Sequence, residues 1–130
     1  MYDNPFHTIN ISKLTFLITG GAGFIGSNIV TYLIKYNAGK VIVLDNLSNG
    51  YLKNIQQFIG LPNFEFIEGD ITDFETCKKV VENVDYISHQ AALGSVPRSI
   101  ENPIATHHAN ATGFLNILTA AKDSHVKRIV

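Results

Sequence analysis

A single cysteine, Cys77, excludes an internal disulfide and leaves no CxxC pair for a metal or redox centre. It lies in an apolar-periodic stretch beside Val80 and Val81 and reads as a buried filler. Charge is scarce and balanced: 16% of residues are charged and the net charge is -1, so nucleic acid and anionic membrane surfaces are excluded as electrostatic partners. No apolar run approaches the roughly 20 residues of a membrane span. Residues 1–10 lack the charged and apolar regions of a secretory signal, so the compartment is read as cytoplasm. The sequons Asn10-Ile-Ser12 and Asn110-Ala-Thr112 are then chance matches. Repeats, low-complexity tracts and linkers are absent as well, which leaves one domain.

What the chain does have is apolar residues, 45% of the total, enough at this length to bury roughly two-thirds of the unfolded surface. They fall into short runs alternating with segments of helical period. Residues 14–19 read as a strand that ends in glycines. Ile25, Ile29 and Leu33 then recur at the spacing of one helix face. Gly39 breaks that helix, and the β-branched run 41–44 is a second strand. Asn49-Gly50 signals a turn before a short helix over 51–58. Phe64, Phe66 and Ile67 mark a third strand. Asp73 caps a helix running to Val81, and 84–88 read as a fourth strand. Asn102-Pro103 opens a long helix to Lys122 with an apolar stripe of Ala111, Leu115 and Leu118. Residues 128–130 begin a fifth strand.

Strands separated by crossover helices pair in parallel, with right-handed crossovers covering both faces of the sheet. This predicts an α/β fold, a doubly wound parallel sheet of the Rossmann type, ending as the fifth strand begins. Residues 1–13 are an N-terminal extension and 14–130 the domain that carries this sheet. Ligands are expected at the carboxyl ends of the strands.

Thr19-Gly-Gly-Ala-Gly-Phe-Ile-Gly26 occupies the first of those ends. Gly20 supplies the tight turn, Gly23 lets backbone amides approach a pyrophosphate, and Gly26 lets the helix pack against the sheet. Phe24 and Ile25 complete the loop, where phosphate charge meets the unpaired amides of the helix. A P-loop is excluded, because Ser27-Asn28 stands where a Lys-Ser/Thr pair is required. Asp45 ends the second strand 25 residues after Gly20 and is placed to accept hydrogen bonds from the adenosine ribose. No arginine or lysine lies between Asp45 and Gly50, so NAD is preferred to NADP. Asn46, Ser48 and Gly50 share that loop, and Asp70-Ile71 ends the third strand where adenine would lie. His107-His108 cannot share one ion, because adjacent helix positions diverge by about 100°. No metal site is expected.

Together, Thr19-Gly-Gly-Ala-Gly-Phe-Ile-Gly26, Asp45-Asn46, Gly69-Asp70-Ile71 and His89-Gln-Ala-Ala92 closely resemble the extended short-chain dehydrogenase/reductase family of NAD-dependent sugar-nucleotide epimerases and dehydratases. The run from His89 to Ser99 is most similar to the UDP-N-acetylglucosamine/UDP-N-acetylglucosaminuronate 4-epimerase branch. The resemblance implies that Gln90, Ala91 and Ala92 line the nicotinamide-ribose side and that Asn110 faces the cofactor. It also implies that Ser95 and Arg98 lie toward a UDP-sugar. It further implies that 14–130 is an incomplete NAD-binding domain whose substrate domain is missing, that epimerisation at the sugar C4 runs through a 4-keto intermediate, and that the full-length protein is a homodimer.

That chemistry needs a Ser or Thr with a Tyr-x-x-x-Lys pair. The one such spacing, Tyr36 to Lys40, falls in the turn into the second strand, on the wrong edge of the sheet. The 130 residues therefore hold no catalytic residue of the family and are expected to be inactive alone. The alternatives are a nucleotide-sugar 4,6-dehydratase and a non-catalytic NAD-binding module. An unfinished sheet edge at 127–130 also invites pairing between chains.

Overall fold

The computed structural model describes residues 2–130; Met1, assigned above to the N-terminal extension, lies outside the described residues. Strands β1 (Thr15–Thr19), β2 (Lys40–Asp45), β3 (Phe64–Glu68), β4 (Tyr86–His89) and β5 (Arg128–Ile129) form one parallel sheet in the order β3-β2-β1-β4-β5. The order reverses between β1 and β4, the topological switch point at which such sheets bind ligands.

Alternation along each strand supplies two cores, one per face. Ile18, Val41 and Val43 pack under α1 (Phe24–Lys35) with Val30, Leu33, Ile55 and Phe58. Leu17, Ile42, Leu44 and Ile87 pack under α2 (Phe74–Val80) and α5 (Gly113–Asp123) with Cys77, Val80, Ile117 and Ala120. Asp73 caps α2, accepting from the Glu75 amide at 3.2 Å and the Thr76 hydroxyl at 2.6 Å. Asn102 caps α4 (Pro103–His107) through the Ala105 amide at 3.1 Å. Both caps stand where the sequence places them.

Three expectations need correction. The buried face of α1 is Gly26, Ser27, Val30 and Leu33, whereas Ile25 is 60% exposed. The reason is Gly26, which must face the glycine turn; Ile25, about 100° round the helix, is turned to solvent. Residues 51–58 form two short 3-10 turns, Leu52–Asn54 and Gln56–Phe58.

The helix expected from Pro103 to Lys122 is broken by one π-helical turn, His108–Thr112, before α5. That turn shifts the phase of the apolar stripe. Gly113, Ile117, Ala120 and Ala121 become the buried side, while Leu115 is 61% exposed and Ala111 also faces out. Gly113 is needed for contact, since a Cβ there would lie 2.6 Å from the Ile71 side chain. A further helix, α3 (Val96–Glu101), falls in a stretch the sequence leaves unassigned.

Residues 2–13 lie along α1. The Tyr32 hydroxyl accepts from the Phe6 amide at 2.7 Å, and Ile11 is buried in the core. Tyr36 and Lys40 stand at the amino edge of the sheet; the Tyr36 hydroxyl donates to the Tyr2 carbonyl and Lys40 pairs with Glu65. Among the described residues no helix is long and apolar enough to cross a membrane.

Candidate functional site

The carboxyl ends of β1, β2, β3 and β4 open onto a cleft of about 560 Å³. Its floor is the turn after β1. The Gly20 amide donates to the Leu44 carbonyl at 2.8 Å, fastening the turn to β2, and its φ of +67 is a conformation glycine adopts without strain. A Cβ on Gly20 would lie 2.6 Å from the Ala91 amide nitrogen, so the turn and the segment after β4 are in direct backbone contact. Gly26 abuts the same turn: a Cβ there would collide with the Gly20 carbonyl oxygen and lie 2.7 Å from the Gly21 Cα. Gly23 caps α1 with no side-chain hydrogen bond, so the amides of the first helical turn face the cleft uncapped.

Asp45 is only 7% exposed and has no ion-pair partner among the described residues; backbone amides hold it. One carboxylate oxygen accepts from the Ala22 amide at 2.9 Å and the other from the Leu47 amide at 2.8 Å. Two of the roughly four lone-pair positions of a carboxylate remain for a ligand. Asp45 thus ties the glycine turn to the loop after β2 while keeping acceptor capacity toward the cleft.

Asp70 accepts from the Thr72 amide at 2.8 Å, the Thr72 hydroxyl at 2.7 Å and the Asn46 side-chain amide at 2.9 Å. Burial pushes this carboxyl up, but the bonds from Thr72 and Asn46, with the His108 ring nearby, outweigh it and hold it below the usual carboxylate range. Asn46 therefore bridges two strand ends. Beneath Ile71, its carbonyl accepts from Asn116 at 2.9 Å and from the Cys77 thiol at 3.2 Å.

Of the residues singled out from sequence, Gly20, Gly23, Phe24, Asp45, Asn46, Ser48, Gly50, Asp70, Ile71, Gln90, Ala91, Ala92 and Arg98 line this one cleft. Four do not. Ile25 faces outward and Gly26 packs behind the turn. Ser95 caps α3, its hydroxyl accepting from the Arg98 amide at 3.3 Å. Asn110, in the π turn, spends its carboxamide on Leu93, accepting from the amide at 2.7 Å and donating to the carbonyl at 3.0 Å. Arg98 crosses the cleft mouth and donates to the Asn49 side chain at 3.0 Å.

Sequence reading missed Thr72, Asn49 and His108, which also line the cleft. Thr72 carried a usable signal, since a hydroxyl two residues after an aspartate closes an Asx turn. His108, which directly follows α4, carried none. Also missed is Thr19, a fully buried hydroxyl behind the floor and 2.8 Å from His89 Nδ1.

The chain matches the model of the NAD dependent epimerase/dehydratase family over residues 16–130. It is 37% identical over 116 residues to a UDP-glucose 4-epimerase of Lactobacillus helveticus, covering 88% of this chain and 33% of that one. The dTDP-glucose 4,6-dehydratase DesIV of Streptomyces venezuelae, solved with NAD bound, superposes with a TM-score of 0.84 at 36% identity, covering 89% of this chain and 38% of that one. The UDP-N-acetylglucosamine 4-epimerase of Methanobrevibacter ruminantium M1 superposes with a TM-score of 0.81 at 36% identity, covering 89% and 36%. The chain thus spans about a third of the length of the curated relatives it matches. With the switch-point cleft, the glycine turn and the family match in agreement, the chain belongs to the NAD dependent epimerase/dehydratase family.

Proposed function

We propose that this chain holds NAD in the switch-point cleft and forms the cofactor-binding portion of a nucleotide-sugar 4-epimerase acting on UDP-hexoses. The observation that carries the reading is the joint geometry of the uncapped α1 terminus at Gly23 and the buried Asp45 carboxylate, which line one cleft.

The residues fit the cofactor. Side chains are absent at Gly20 and Gly23, where a diphosphate has to approach backbone amides, and the helix dipole there favours an anion. The free lone pairs of Asp45 accept from the adenosine ribose hydroxyls, with Ser48 and Gly50 beside them. Asp70 and Ile71 flank the adenine. Gln90, Ala91 and Ala92 form the wall toward the nicotinamide ribose. Arg98 supplies a guanidinium at the mouth, suited to an anionic group of the sugar nucleotide. Ser95 and Asn110 act at one remove, by capping α3 and by fixing Leu93. The chemistry NAD supplies when bound is reversible hydride acceptance; this chain's own residues bind and orient it.

Relatives of both reaction types, epimerase and dehydratase, share this part of the chain at similar identity. The epimerase reading rests on the run from His89 to Ser99, and the dehydratase is its alternative. For the complete protein we propose a homodimer, supported by the exposed Ile104 and Leu115 on the outer side of α4 and α5.

Isothermal titration of the chain with NAD and with NADP tests the binding reading. NAD binds more tightly if Asp45 meets an unesterified ribose. Because Arg98 reaches the same loop through Asn49, tighter NADP binding would show that this guanidinium, not Asp45, governs the choice.

A further inference from the structure

The turn after β1 and the segment after β4 meet over a buried side-chain pair that the cofactor-binding residues do not include. The Thr19 hydroxyl accepts from the Gln90 amide at 3.2 Å and the Ala91 amide at 3.3 Å, and its oxygen lies 2.8 Å from His89 Nδ1. The Gln90 amide is shared with the Thr19 carbonyl at 3.0 Å. Thr19 is fully buried, so water does not contribute.

A hydroxyl has one proton and two acceptor lone pairs. Here both lone pairs face backbone N–H groups, and a backbone N–H can only donate. The proton is the one group left for His89, so Thr19 donates to Nδ1. Nδ1 must then carry a lone pair, and the imidazole proton sits on Nε2. The ring also packs against Phe114 of α5, at 5.1 Å between centroids. The His89 amide donates to the Val130 carbonyl at 2.7 Å, fixing the residue's backbone as well.

We infer that Thr19 and His89 are a positioning pair: the neutral Nε2–H imidazole orients the Thr19 hydroxyl, and that hydroxyl sets the Gln90–Ala91 backbone against Gly20 so that the two walls of the cleft stand at a fixed separation. The inference rests on the reading of the cleft as a dinucleotide site. The tolerance is small, because the Ala91 nitrogen is 2.6 Å from where a Gly20 Cβ would sit. An unanchored Gln90–Ala91 peptide would rotate away from Gly20 or intrude between the walls. Neither Thr19 nor His89 lines the cleft, so the pair acts through the backbone it holds.

The test compares Thr19→Val, which removes the hydroxyl at nearly constant volume, with Thr19→Ser, which keeps it. In the wild-type chain at neutral pH, long-range nitrogen–proton NMR correlations place the His89 proton on Nε2. Thr19→Val releases that tautomer, accelerates hydrogen exchange of the Ala91 amide about tenfold while the Gln90 amide keeps its bond to the Thr19 carbonyl, and weakens NAD binding about tenfold, as expected for a buried donor losing its acceptor. Thr19→Ser restores all three. A wild-type Nδ1–H tautomer, or a serine variant that behaves like the valine variant, would overturn the pairing. The tautomer and exchange readouts need no ligand. A wild-type chain that binds no NAD while showing them would refute the dinucleotide reading and leave the pair standing. If Thr19→Val fails to fold, the wild-type tautomer together with the serine variant decides.

Discussion

Replacing Asp45 by asparagine separates its two tasks. The carboxylate accepts from Ala22 at 2.9 Å through one oxygen and from Leu47 at 2.8 Å through the other. Asparagine keeps one acceptor but presents an NH2 group in place of the second oxygen, so one of these buried donors faces a donor. Loss of a hydrogen bond to a charged group costs about 1.5–3 kcal/mol. With a urea slope on the order of 2 kcal/mol per molar, the midpoint falls by roughly 1 M at unchanged slope. The lost ribose acceptor adds a separate effect, weakening NAD binding by about ten- to a hundredfold for a loss of the same size. NADP binding falls less, because the repulsion between the carboxylate and the extra phosphate disappears too. Urea unfolding followed by calorimetry with both dinucleotides reads each effect on one preparation. A variant that loses stability yet keeps the NAD affinity of the wild type would refute the ribose contact and leave Asp45 as a loop anchor alone.

Three other outcomes follow from the geometry. Gly20→Ala meets the Gln90–Ala91 backbone within 3 Å and a φ of +67, so it destabilises the chain by several kcal/mol; equal midpoints for variant and wild type would contradict this. Burial, with Asp73 and Asp70 adding to it, pushes the Cys77 thiol up to about 11, so a disulfide reagent at neutral pH modifies it only after denaturation. Asp70 has its folded value below its unfolded one, so its stabilisation is present above the ordinary carboxylate range and is lost as pH falls through the folded value. Asn46→Ala removes one of the bonds that lowers it and moves the acid unfolding limb to higher pH.

The order of strands and helices was legible because each strand is a short run with apolar residues bounded by turn residues, and Asp73 and Asn102 announce the helices they cap. The floor of the cleft was legible for a related reason: Gly20 is required by close contact, and Asp45 interrupts an apolar run where a strand ends. What sequence concealed depends on contacts made at a distance. Ile25 fits the helical period yet points outward, because Gly26 has to meet the turn. The stripe of Ala111, Leu115 and Leu118 is regular in sequence, but the π turn at its start leaves Ala111 and Leu115 facing out and Leu118 only half-buried. Asn46 and Asn110 are residues of the expected kind at the expected places. Each is engaged by a neighbouring loop, Asp70 in one case and Leu93 in the other, 24 and 17 residues away.

The most direct measurement is an amide NMR titration of the isotope-labelled chain with NAD. The account predicts the largest shifts at Gly23, Phe24 and the residues flanking Asp45, with smaller shifts at Gln90 and Ala91 and none at the amino edge around Tyr36 and Lys40. Saturating NAD that leaves the Gly23 amide unmoved, or that perturbs the amino edge instead, would contradict it.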